Sequence, residues 1–332
     1  MRPPRSALRT TLAVVTALVL ASGTAVLLPA PAQADSLVGQ AEVIAGSSST
    51  GGTCTGTDED TKQVNFLASA TRKSSVSLDG LVTDGGDAGD VTSWAARASM
   101  KVTSRSGGSN PSLALTGKVL ASVDADQGDA SGCAVQSSTV VTGIGLMKLD
   151  SSGWLTMSLA HPAGTTGVVV VTDEQTMQII YQDSGQESFH GSVWTGAGTY
   201  LVQTVVQGTA DDDSTTTAPP TVSGRVGASV AYLPAGASRA KASGPGKAYV
   251  ALGDSVNCTD RQVLGVFTKK ANAVRSATFL VNGKKQRTVG DPSAGEAVVL
   301  KTGSATSATT VKVVLQTPTK KVTVSRSYLA CE

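Results

Sequence analysis

Histidine is almost absent from this 332-residue chain: His161 and His190 are the only two. A Ser–His–acid relay needs an imidazole within hydrogen-bond reach of a nucleophile and an orienting acid. Neither histidine sits in a recognisable motif, and no G-x-S-x-G elbow occurs. Glutamate is scarce and the carboxylates cluster in turn-like stretches, which leaves little material for paired-carboxylate glycoside chemistry. No two cysteines lie close in sequence, so a zinc site has no starting pair. Aromatic residues make up only 4% of the chain, so its cores must be built from Val, Leu and Ala. Past Leu28 no apolar run approaches the ~20 residues that a membrane span needs. These absences leave no recognisable catalytic constellation, and the expectation is a protein that is not an enzyme and uses no cofactor.

The N-terminus carries what the rest lacks. Arg2, Arg5 and Arg9 form a basic region, Leu12 to Leu28 an apolar stretch, and Ala32-Gln33-Ala34 a small-x-small cleavage signal. Residues 1–34 therefore read as a signal peptide removed after Ala34. No cysteine stands there for lipid attachment, and one residue after Cys331 leaves no room for a C-terminal anchor. The expected location is outside the cell, secreted or associated with the cell surface.

In an oxidising compartment an even number of cysteines implies disulfides. Cys54, Cys133, Cys258 and Cys331 allow three connectivities. Pairing within each half, Cys54 with Cys133 and Cys258 with Cys331, agrees with the domain boundary that follows.

The chain reads as β-structure. Val64, Phe66 and Ala68 alternate with polar neighbours, as do Ala96, Ala98, Met100 and Val102, and Trp154 to Leu159. Val168 to Val171, a short polar turn, and Met177 to Tyr181 read as a hairpin. Gly198 to Gln207 is another strand. His161-Pro162-Ala163-Gly164 and His190-Gly191 look like turns. Thr209 to Thr221 reads as a loop and Pro234 to Gly246 as a linker, with the strand between them assigned to the first domain. After Lys247, six strand candidates follow: Arg261 to Thr268, Arg275 to Val281, Lys284 to Val289, Ala297 to Thr302, Thr309 to Thr317 and Lys320 to Leu329. Asn282-Gly283 supplies a hairpin turn. The expectation is all-β: a jelly-roll-like sandwich over 35–234, a linker over 235–246 and an immunoglobulin-like sandwich over 247–332.

The early Cys258, the strand-turn Thr278 to Lys285 (TFLVNGKK) and the terminal Ser325 to Cys331 (SRSYLAC) carry a resemblance. Together they resemble the disulfide-tied, Ig-like module at the C-termini of exported actinobacterial proteins. That resemblance covers about the last eighty residues and implies a structural or targeting appendage. Around Gly198 to Tyr200 the first domain is faintly similar to bacterial jelly-roll modules.

Charge is divided along the chain. Residues 35–244 hold 11 Lys+Arg against 20 Asp+Glu, a net of −9; residues 245–332 hold 13 against 5, a net of +8. Lys269, Lys270, Lys284, Lys285, Lys320 and Lys321 are the candidate binding residues for an anionic cell-wall polymer or polysaccharide. No aromatic platform accompanies them, which argues against nucleic acid. The alternative is a carbohydrate-binding module in which Trp94, Trp154 and Trp194 stack on sugar rings. A third reading is a hydrolase with an unrecognised site. Two acidic, glycine-containing loops, Asp84 to Asp90 and Asp124 to Asp129, have oxygen ligands for calcium but lack the EF-hand pattern.

Overall fold

The structure is a computed structural model that describes residues 37–50, 54–84, 87–106, 111–125, 133–211 and 220–332. Period-two burial dictates its form. In the strand Asp87–Arg105 the even positions Trp94, Ala96, Ala98, Met100 and Val102 are buried, while Arg97, Lys101 and Arg105 are exposed. A strand whose alternate residues are apolar can bury only one face, so it must pack against a second sheet.

Thirteen strands make the first pair of sheets. They are β1 (Val38–Thr50), β2 (Cys54–Thr55), β3 (Glu59–Leu67), β4 (Ala70–Asp84), β5 (Asp87–Arg105), β6 (Ser112–Ala125) and β7 (Ala134–Leu149), then β8 (Gly153–Ala160), β9 (Thr165–Asp173), β10 (Ile179–Gly185), β11 (Phe189–Thr195), β12 (Gly198–Asp211) and β13 (Thr221–Pro234). One sheet has six strands in the order β10-β9-β12-β7-β1-β3; the other has seven, β11-β8-β13-β6-β5-β4-β2. Every pairing is antiparallel. The two inner faces meet closely. A Cβ added to Gly143 of β7 would lie 3.1 Å from Leu115 of β6 on the facing sheet, and within the six-stranded sheet one added to Gly39 of β1 would overlap the ring of its β3 partner Phe66. Small residues at these points let bulky partners sit over the sheet.

The remaining strands are β14 (Val250–Leu252), β15 (Gln262–Phe267), β16 (Ser276–Val281), β17 (Lys284–Gly290), β18 (Ala297–Lys301), β19 (Thr309–Gln316) and β20 (Lys321–Tyr328). They form a three-stranded sheet, β14-β15-β18, and a four-stranded one, β17-β16-β19-β20. A second buried cluster lies within them, with Phe267 and Phe279 edge-to-face at 5.9 Å. Asn282 and Gly283 take φ of 50° and 79° at the β16–β17 turn, the conformation that this hairpin requires. The chain is thus all-β, with no α-helix among the described residues and none long and apolar enough to cross a membrane.

Disulfides join Cys54 to Cys133 and Cys258 to Cys331. The first ties β2, at the edge of the seven-stranded sheet, to the entry of β7 in the six-stranded sheet. The second ties the turn before β15 to the residues after β20. Two disulfides fit an oxidising compartment.

Several expectations need correction. His190-Gly191 is not a turn but lies within β11, where His190 pairs with Ser158. Ladder hydrogen bonds to β8 outweigh the local turn preference of glycine. Thr209 to Asp211, read as loop, continue β12 against β7. Val222 to Leu233 pair with β6 and β8, as assigned. The short strand β14 was not anticipated, since three residues carry no periodic signal. Pro234 to Gly246, read as a linker, is hydrogen-bonded along the second core. Ser238 bridges Tyr328, Ser243 bridges Ser325, and Gly246 is buried.

Candidate functional site

Antiparallel register turns the outward side of the seven-stranded sheet into a grid, with columns about 4.8 Å apart and rows about 6.7 Å apart. On β4 the buried residues, Val76 and Val82, are at even positions, as are those of β13, and on β6 they are at odd ones, so Lys73, Arg225 and Lys118 point outward with the odd residues of β5. One row runs Lys73–Lys101–Thr116. The next runs Ser75–Ser99–Lys118–Arg225, and the third Ser77–Arg97–Leu120–Ser223. Five cations therefore occupy three consecutive rows. Lys73 faces Lys101 directly, and Lys118 faces Arg225.

Arg105 stands two rows beyond Lys101, beside Ser112. Six of the eleven cations in residues 35–244 lie on this one face, although that region is net acidic. All six are exposed and none is in an ion pair among the described residues. Among the residues whose side chains are described, Asp79 and Asp124 are the acids on the face, one and two rows past Arg97. Directly opposed like charges on a sheet are destabilising, with about 0.8 kcal/mol of repulsion at 5 Å in bulk water. Such a patch attracts anions.

The lysines singled out after residue 245 are not one patch. Register places Ser276 of β16 opposite Gln316, which pairs with Lys321, and Val281 opposite both Lys284 and Val311. Lys320 and Lys321 are thus at the Ser276 end of the four-stranded sheet, and Lys269 and Lys270 lead into that same end. Lys284 and Lys285 lie at the Val281 end, about 17 Å away along the strand.

The tryptophans do not form a flat sugar platform. Trp94 is 4% exposed, on the inner face, with its indole N–H donating to the Gly56 carbonyl at 3.2 Å. Alternation put it inside, because the buried residues of β5 are its even ones. Trp154 and Trp194 face each other across β8 and β11, edge-to-face at 5.4 Å and 69°. Trp154 also donates to the Ala330 carbonyl at 2.9 Å, next to Cys331.

One and two rows from this pair, on the same outward face, is a cleft of about 330 Å³ over β11, β8 and β13. Thr156, Ser158, Ser192 and Ser229 line it with hydroxyls, and His190 and Arg239 stand at its walls. Ser158 and Ser229 share a hydrogen bond at 2.7 Å, and Arg239 donates to Ser192 Oγ at 3.4 Å. No carboxylate lines the cleft, so the His190 imidazole has no orienting acid there. The other histidine locks a turn. Thr165 Oγ1 donates to the Pro162 carbonyl at 2.7 Å and receives His161 Nδ1 at 2.7 Å.

Asp84 and Asp87 to Asp90, read as a loop, are the facing ends of β4 and β5, with Asp84 paired to Asp87, while Asp126 to Asp129 lie outside the described residues. Among those described, no cluster of His, Cys, Asp and Glu is arranged to hold a metal ion.

No family model and no curated protein matches the chain. Among solved structures, the adhesin domain of Epf from Streptococcus pyogenes aligns with 78% of this chain and 92% of that one. It does so at 8% identity and a TM-score of 0.18. A superposition of that quality bears on neither fold nor function.

Proposed function

We propose that this chain is an exported, non-catalytic β-sandwich protein that binds an anionic polymer outside the cell through the outward face of its seven-stranded sheet. The observation that carries this reading is the block of five cations, Lys73, Lys101, Lys118, Arg225 and Arg97, none in an ion pair among the described residues. They lie on a rigid antiparallel scaffold among serine and threonine hydroxyls. Rows of cations 5–8 Å apart suit repeated carboxylate or phosphate groups, and neighbouring hydroxyls suit a polyol chain. No aromatic side chain stands in these rows, which disfavours a single-stranded nucleic acid. The N-terminal leader and the two disulfides support action in an oxidising, extracellular setting, with the disulfide-tied C-terminal core, read as Ig-like, as an appendage.

The test is retention on purified cell wall and on immobilised polygalacturonate, with Lys101→Glu/Lys118→Glu compared with the unaltered protein. Exposed charges act over about 8 Å at physiological salt, so retention should fall steeply as salt is raised. Reversing two central charges should weaken it at least about tenfold. Lys284→Glu/Lys285→Glu, on β17 of the four-stranded sheet, should change it little. Retention that survives the first pair, or that is lost only with the second, would overturn this assignment.

A further inference from the structure

The cleft over β11, β8 and β13 has a chemistry that the cationic rows do not share. No lysine lines it, and its guanidinium, that of Arg239, comes from the segment between the two cores. That segment is pinned to β20 of the second core. Ser238 bridges Tyr328, the Arg239 amide donates to the Ser327 carbonyl at 3.3 Å, and Arg326 Nε donates to Ser238 Oγ at 2.8 Å. The second core thus fixes the backbone from which Arg239 reaches over a sheet of the first.

Register arranges the outward side chains here in three rows: His190–Ser158–Ser229, Ser192–Thr156–Ala231 and Trp194–Trp154–Leu233. The first two supply hydroxyls, and the third an apolar border from which Leu233 reaches the cleft. The hydroxyl residues are half-buried, whereas Arg239 and His190 are exposed at the walls.

The hydrogen bonds already made decide what each group still offers. Thr156 Oγ1 donates its one proton to the Ala231 carbonyl at 3.0 Å, so towards the cleft it only accepts. Ser158 and Ser229 share a single hydrogen bond at 2.7 Å, which leaves one of the two a proton to give. Ser192 Oγ accepts from Arg239 at 3.4 Å and keeps its own proton. Arg239 spends one N–H on Ser192 and is in no ion pair among the described residues. His190 adds a ring nitrogen about 6.7 Å along β11 from Ser192.

We propose that this cleft binds a single acidic sugar unit, with its carboxylate on Arg239, its hydroxyls on the serine–threonine floor and a C–H face against Leu233. A guanidinium fork matches a carboxylate with two parallel hydrogen bonds, and no carboxylate in the lining repels it. Thr156 calls for a donor on the ligand, which a sugar hydroxyl supplies and a fully ionised phosphate or sulfate does not. The size fits one unit. At about 330 Å³ the cleft is at the small end of ligand pockets, about 300–1,000 Å³. The unit arrives free or as the end of a chain, and the same groups meet its carboxylate in both cases. This goes beyond the polymer reading, since none of the five cations of the block lines the cleft.

The experiment is isothermal titration calorimetry of the whole secreted protein with galacturonate, glucuronate and, as the uncharged control, galactose. At least one acid should bind with a Kd near or below about 1 mM, the strength expected of about thirteen non-hydrogen atoms. Galactose should bind at least about tenfold more weakly. Arg239→Gln changes an exposed side chain, so the melting curve should not move, yet it should cost the acid at least about tenfold. Ser192→Phe fills the cleft without altering charge, on a strand where an aromatic is tolerated, and should abolish binding. Lys101→Glu/Lys118→Glu should leave the acid bound, so failure of the polymer reading and failure of this one are told apart. The methyl glycoside of the bound acid distinguishes the sources: equal or tighter binding assigns a chain end, weaker binding the free acid, and either supports the site. The absence of binding by both acids at about 10 mM overturns the proposal. So does galactose bound as tightly as the acids, or binding indifferent to Arg239→Gln and Ser192→Phe.

Discussion

Replacing Arg326 by methionine should destabilise the second core far more than replacing its acidic partner, Asp254, by asparagine. The two ends of this ion pair, 2.6 Å apart, live in different surroundings: the Arg326 side chain is 11% exposed and that of Asp254 is 93% exposed. Arg326 Nε donates to Ser238 Oγ at 2.8 Å, which fastens the connecting segment to β20. Its Nη1 donates to the Leu252 carbonyl at 2.8 Å, at the end of β14. Methionine keeps the apolar stem but strands these groups. A lost charge-assisted hydrogen bond is worth about 1.5–3 kcal/mol and an unpaired buried carbonyl about 1–3 kcal/mol. A total near 3 kcal/mol is therefore expected for Arg326→Met. The exposed carboxylate of Asp254 contributes at most about 1 kcal/mol through water.

Differential scanning calorimetry of the whole protein reads the difference. At about 4–8 °C per kcal/mol for a unit of this size, the second core's transition should fall by at least about 12 °C in Arg326→Met. In Asp254→Asn it should fall by no more than about 8 °C. Equal shifts would mean that the ion pair, not the buried hydrogen bonds, holds the segment, and the reasoning from exposure would be wrong.

Two further outcomes follow from the same region. Burial pushes the phenol of Tyr328, 1% exposed and donating to the Gly253 carbonyl at 2.9 Å, from 10.0 up to about 12, with Arg326 opposing and Asp254 reinforcing the shift. A raised phenol stabilises the fold fully below pH 10 and loses that contribution as pH rises towards 12, so the melting temperature should drop across that window and drop less in Tyr328→Phe. Parallel curves for the two proteins would remove Tyr328 as the cause. Because Ser238 and Ser243 pair with β20, a fragment of residues 235–332 made in an oxidising compartment should melt cooperatively and well above one of residues 247–332. Matching melts would show that the segment adds nothing.

The second core was legible because its strands announce themselves. Asn282-Gly283 fixes one hairpin and so places Lys284 to Val289, which does not alternate, while the other segments between Arg261 and Leu329 do, so each lies within a residue or two of its observed ends. The cationic face was half legible. Arg97, Lys101 and Arg105 occupy odd positions on a strand whose even positions are apolar, and that alone places them together outside. Joining Lys73, Lys118 and Arg225 to them requires the register of β4, β5, β6 and β13, which pairing between distant segments sets and no local pattern encodes. Net charge by segment pointed elsewhere, to the lysines after residue 245, because a sum over sequence does not record which face a side chain occupies. Trp94 failed as a sugar-binding candidate for the same reason, since its parity on β5 sends it inward.

The two disulfides have a mechanical consequence for a chain under tension. A pull applied beyond Cys331 passes straight through sulfur to Cys258, so the 73 residues of separation between them cannot be drawn out. Likewise, tension entering ahead of Cys54 bypasses the 79-residue span to Cys133. At about 3.3–3.6 Å per residue, each bridge withholds roughly 250 Å of extension. Anchored at one end and tugged at the other, the protein would yield chiefly by unravelling the stretch from Cys133 to Cys258 that lies between its clasps.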